Sequence, residues 1–106
     1  MIYFNAIFGY LQLHTVYYFK EHSLKTLQMH SEMQPQSYWY EFDFSGKKTV
    51  YTLLVNTKNN PVRGGICHGD DVIYLFNVPL MSLTTPEEQE VSDRLVNYWA
   101  NFAATG

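Results

Sequence analysis

The stretch Gly64-Gly65-Ile66-Cys67-His68-Gly69-Asp70-Asp71 sets one histidine between small residues on one side and two carboxylates on the other. Glycines at 64, 65 and 69 tolerate φ > 0 or a close backbone approach, so the chain can turn sharply on both sides of His68 and present its imidazole. The apolar run Val72-Ile73-Tyr74-Leu75-Phe76 follows directly. It can anchor such a loop in a core. Cys67, the single cysteine, has no intrachain disulfide partner, and next to His68 it reads as a small packed hydrophobe rather than a nucleophile, because adjacent residues of an extended loop point apart.

Downstream, Thr85-Pro86-Glu87-Glu88 has the form of a capped helix start, with a threonine N-cap, proline at the first position and glutamate at the third. Val91, Leu95, Tyr98, Trp99 and Phe102 then recur at helical spacing and make one apolar stripe. Gly106 stands where a C-cap belongs. This is the clearest predicted helix of the chain.

Upstream, Tyr38, Tyr40, Phe42 and Phe44 alternate with Glu41 and Asp43, a period of two that predicts a strand ended by Ser45-Gly46. The β-branched run from Thr49 to Val55 predicts a second one. A short helix is expected from Ser23, as N-cap, to Met33, with Leu24, Leu27 and Met29 or His30 inward and a stop before Pro35. Residues 1–20 show no clean period, and Asn59-Asn60-Pro61 starts the turn leading to the histidine loop. The aromatics at 38–44 suit the inner strand of a large sheet better than the wall of an ester pocket.

The chain has 106 residues, a net charge of −3 and a hydrophobic fraction of 46%, enough for one small domain. With a pI near 5.7 and scattered Lys and Arg, no basic stripe exists to neutralise phosphates, which argues against a nucleic-acid partner. Nine Tyr, seven Phe and two Trp are more rings than a core this small places easily. The excess points to a piece of something larger. Met1 to Tyr10 lacks the basic flank and cleavage site of a signal peptide, and Asn5, Gly9, Gln12 and His14 break it before it could span a membrane. His14, His22 and His30 fall at neither one helical face nor zinc-ligand spacing, and His68 with Asp70 and Asp71 makes no recognised cluster, so no metal site is expected.

The loop at 64–71 with the run after it resembles the carboxylesterase type B family, in which Gly-x-x-His-Gly/Ala-x-Asp/Glu followed by an aromatic and aliphatic run ending in Phe carries the catalytic-triad histidine. Ser92 to Gly106 is similar to the family's helix Ser-x-x-Leu/Met-x-x-x-Trp-x-x-Phe-Ala-x-x-Gly. The resemblance runs from about Leu24 to Gly106, within a single unit 1–106, and is strongest over 64–80 and 91–106. It implies an α/β fold, here the C-terminal portion of an α/β-hydrolase with an incomplete sheet and flanking helices. It also implies serine esterase chemistry on a small-molecule ester, with no cofactor, His68 as the catalytic histidine and Asp71 at the supporting acidic position three residues on. Asp71 has a simpler alternative, as N-cap of a segment starting at Val72, and the same alternative holds for Asp70.

The family's Gly-x-Ser-x-Gly nucleophile and upstream acidic member do not occur in this sequence, so the isolated chain is expected to be inactive. Two other readings stand beside the esterase: a non-catalytic, neuroligin-like interaction protein on the same fold, and a truncated remnant. Family members are often secreted or held in the endoplasmic reticulum, but the sequence itself assigns no compartment.

Overall fold

A computed structural model describes residues 2–54, 65–76 and 78–106, with side chains from 9 to 52 and through the later segments. The turn expected at Asn59-Asn60-Pro61, and Gly64, lie outside the described residues. The chain falls into two compact units, Met1–Tyr40 and Glu41–Gly106.

The first unit is built on one continuous helical run from residue 2 to residue 33. Helix α1, Ile2–Thr15, passes through a π-helical stretch, Val16–Lys20, into α2, Glu21–Met33. The widened register brings Tyr17 edge-on to His22, five residues later, with centroids 6.2 Å apart. On the ordinary register, Tyr10, His14 and Tyr18 stack four residues apart. The helix expected from Ser23 therefore begins two residues earlier and has no cap there, since it continues a preceding helix. Its end is where Pro35 demands it: Gln34 is extended, as a residue before proline must be. His30 then bonds the Ser37 hydroxyl at 3.1 Å, folding the segment after the proline back onto α2.

Among the described residues the second unit holds three helices, α3 (Val50–Leu54), α4 (Asp70–Leu75) and α5 (Pro86–Thr105), with a 3₁₀ turn at Pro79–Met81. Helix α5 starts on the expected capping box: Thr85 Oγ1 accepts from Glu88 N–H at 3.2 Å and the Glu88 carboxylate accepts from Thr85 N–H at 3.0 Å. It ends on Gly106 at φ 85°, with the Gly106 N–H on the Phe102 carbonyl. Ile73, Tyr74, Met81 and Leu95 form the core between α4, the 3₁₀ turn and α5. The Ser92 hydroxyl fastens α5 to α4 by donating to the Tyr74 carbonyl at 2.6 Å.

Among the described residues there is no strand, which corrects both strand expectations and leaves the α/β class unconfirmed by this chain. The alternation at 41–45 is real but is used differently. Phe42 and Phe44 turn inward onto the Tyr74 ring at 5.1 and 5.6 Å, while Glu41, Asp43 and Ser45 face water. A strand needs a ladder of backbone bonds with a neighbour, and this segment is instead fixed by packing Phe42 and Phe44 on Tyr74. The segment ends at Gly46, packed so tightly that a Cβ there would overlap the Tyr74 hydroxyl.

The run from Thr49 forms the short helix α3 instead of a strand. Thr49 Oγ1 accepts from Thr52 N–H at 3.2 Å and Thr52 Oγ1 accepts from Thr49 N–H at 3.3 Å, a capping box built from two threonines. Those bonds, and a carboxylate on the Val50 N–H, override the β propensity of the residues.

Candidate active site

His68 sits at the second position of a four-residue turn, Cys67 to Asp70. The Asp70 N–H donates to the Cys67 carbonyl at 3.0 Å. Gly69 follows at φ 87° and ψ 3°, the third position of a type II turn, where a side chain would be strained. The histidine is exposed. Gly65, at φ 94°, makes the earlier bend that the sequence suggested. The glycines therefore turn the chain around the imidazole, and α4, with Ile73 and Tyr74 buried, anchors it from behind.

The two aspartates divide. Asp70, 3% exposed, holds two backbone N–H groups, Cys67 on Oδ2 at 2.7 Å and Val50 on Oδ1 at 2.6 Å. Asp71, the expected supporting residue, is half-buried in the first turn of α4. Neither is an N-cap: α4 begins at Asp70, two residues before Val72, and its N-cap is Gly69. The double grip of Asp70 was not foreseen. Its only sequence signal is the spacing of three from Cys67, the distance at which a short acidic side chain can reach back to a preceding N–H.

Cys67 is half-buried beside this carboxylate. Burial first, and the Asp70 charge second, push its thiol above the ordinary value, against smaller lowering contributions from the Tyr51 and His68 backbones. A thiol so placed stays protonated near neutrality and is a poor nucleophile, as its reading as a packed small residue requires. His14 donates from Nδ1 to the Tyr10 carbonyl at 3.0 Å. Among the described residues no group of three His, Cys, Asp or Glu side chains could hold a metal ion, and no helix is long and apolar enough to cross a membrane.

A cleft of about 300 Å³ between α4 and α5 is lined by Leu75, Met81, Leu83, Gln89 and Ser92 among others, and His68 is not among its walls. The Ser92 hydroxyl there is committed to the Tyr74 carbonyl.

With one exposed histidine at a glycine turn, backed by a buried carboxylate and an aromatic helix, the sequence comparison becomes specific. The chain belongs to the carboxylesterase family, whose model matches residues 5–106. The match reaches further toward the N-terminus than Leu24, where the quoted motifs begin to carry the resemblance. The chain is 35% identical over 75 residues to the acetylcholinesterase of Electrophorus electricus, covering 69% of this chain and 10% of that protein. It is 50% identical over 44 residues to the acetylcholinesterase of Bungarus fasciatus, covering 40% and 7%, and 29% identical over 89 residues to the liver carboxylesterase of Sus scrofa, covering 79% and 14%.

The chain thus spans only between 7% and 14% of the length of these relatives. No solved structure matches it. Membership implies the α/β-hydrolase fold for the family domain; the described part of this chain contributes helices and irregular segments to it.

Proposed function

We propose that this chain carries the catalytic histidine of a serine carboxylester hydrolase acting on a small-molecule ester, with His68 as general acid and base. The observation that supports this most directly is the type II turn that exposes His68 at its corner while Asp70 and α4 hold the turn from inside. An imidazole presented by a fixed backbone can accept the proton of a serine hydroxyl as it attacks the ester carbonyl, then return it to the leaving alcohol. Asp71, one residue further into α4, takes the supporting acidic position that the family places three residues after the histidine. The serine and the acidic residue that fixes the imidazole's tautomer come from sequence outside these 106 residues, so the isolated chain turns over no ester.

The test is hydrolysis of p-nitrophenyl acetate by the protein translated from the complete transcript, compared with its His68→Ala variant. The expected loss in kcat is on the order of 10⁴-fold or more. Unchanged turnover would remove His68 from the chemistry. A well-folded wild-type protein without ester hydrolysis would instead favour the interaction protein or the remnant.

A further inference from the structure

We propose that Asp70, by gripping the backbone of Cys67 at the start of the histidine turn and that of Val50 in α3, is the positioning residue of His68. This rests on the reading of His68 as the acid and base of an ester hydrolase. It concerns a residue that touches neither substrate nor the imidazole's reacting nitrogen.

A carboxylate taken out of water is retained only where hydrogen bonds replace its hydration, and both oxygens of Asp70 are so engaged. The bond from Cys67 N–H to Oδ2 runs opposite to the bond from Asp70 N–H to the Cys67 carbonyl, so residues 67 and 70 clasp each other reciprocally. His68 and Gly69 form the tip that this clasp closes. The other oxygen holds the first N–H of α3, twenty residues away in sequence, and Gly69 itself lies against the Val50 side chain, with 3.9 Å from an ideal Cβ to Val50 Cγ2. The turn is thereby closed on itself and also located against α3.

The geometry is selective for aspartate. Asparagine keeps the shape but puts an NH₂ donor against one of the two N–H donors. Glutamate is one methylene too long for two short bonds from the same position. Asp71 cannot substitute, because successive residues of a helix leave the axis about 100° apart. The role therefore belongs to the aspartate that the family pattern leaves unassigned.

The test is NMR on the full 106-residue chain, isotopically labelled, with Asp70→Asn and Asp71→Asn beside the wild type. The amides of Cys67 and Val50 should exchange with solvent about tenfold or more slowly than their intrinsic rates in the wild type, as charge-assisted bonds require. Asp70→Asn should release at least one of them and move the His68 ring resonances, with the Ile73 and Leu95 methyl signals of the core in place. Asp71→Asn should leave both amides protected.

Unprotected Cys67 and Val50 amides in the wild type, or a His68 ring indifferent to Asp70→Asn, overturn the proposal. The wild-type rates decide it even if the variant fails to fold. In the esterase itself, Asp70→Asn should lower kcat by about a hundredfold with KM changed less than about twofold, the signature of a displaced catalytic group. Loss of the esterase reading leaves the NMR result standing, so the two failures are distinguishable.

Discussion

The backbone N–H of Lys47 donates to the Glu88 carboxylate at 2.9 Å, across 41 positions of sequence. The other oxygen of Glu88 accepts from the N–H groups of Thr84 and Thr85, at 2.7 and 3.0 Å, and from the Thr84 hydroxyl at 3.2 Å. What begins as the capping box of α5 thus also latches the segment carrying Phe42 and Phe44 onto that helix.

A buried acid with so many donors makes the second unit acid-sensitive. Burial raises the Glu88 carboxyl, but the N–H groups of Thr84, Lys47 and Thr85, with the Thr84 hydroxyl, outweigh it and hold it below its ordinary 4.5. A depressed folded value means that the ionised form stabilises the fold. This contribution is complete above 4.5 and is lost as pH falls through the lower folded value. Urea unfolding of the wild type should therefore show stability declining below about pH 4.5, while Glu88→Gln should be less stable at neutral pH by about 1 to 3 kcal/mol and flatter in acid. Parallel pH profiles for the two proteins would assign the acid response elsewhere.

Cys67 responds to the carboxylate beside it. Since burial and the Asp70 charge both raise its thiol, the rate of alkylation by iodoacetamide should rise with pH toward a midpoint above 9.0 in the folded chain. In urea the midpoint should fall back to that of an unburied thiol. Asp70→Asn should move the folded midpoint downward, because it removes the second cause and leaves the first. A folded midpoint at or below that of the unfolded chain would show that the thiol is activated, and would reopen Cys67 as a nucleophile.

Local signals survived into the structure wherever the chain supplies its own partners. Thr85 and Glu88 need only each other and a helix, so the start of α5 was legible in four residues; Gly69 and His68 likewise declare a turn by local sterics. The strand at Tyr38 to Phe44 was misjudged because alternation reports which side is buried and says nothing of whether a ladder partner exists. Phe42 and Phe44 found a ring, Tyr74, where a sheet was expected. At Thr49 to Leu54 β-branching pointed one way and the reciprocal Thr49 and Thr52 bonds the other, and the bonds prevailed. In the candidate site, the turn that exposes His68 was legible from its glycines. Asp70 was not, because its second partner, the Val50 N–H, is twenty residues distant and no local pattern encodes it.

The apolar stripe of α5 is buried at Leu95 and largely exposed at Tyr98, and this gives a prediction that separates the two positions. Leu95 is 8% exposed and belongs to the core with Ile73, Tyr74 and Met81, whereas Tyr98, from the same stripe one turn later, is 65% exposed. Truncating Leu95 to alanine removes a packed side chain and leaves a cavity, so Leu95→Ala should destabilise the unit by about 2 to 4 kcal/mol in urea unfolding. Tyr98→Ala removes a ring already largely in water and should stay within about 0.5 kcal/mol. Such a difference would establish that stability of α5 comes from its contact with α4 at the N-terminal half. Equal losses at both positions would show that Tyr98 also has a packing partner in solution.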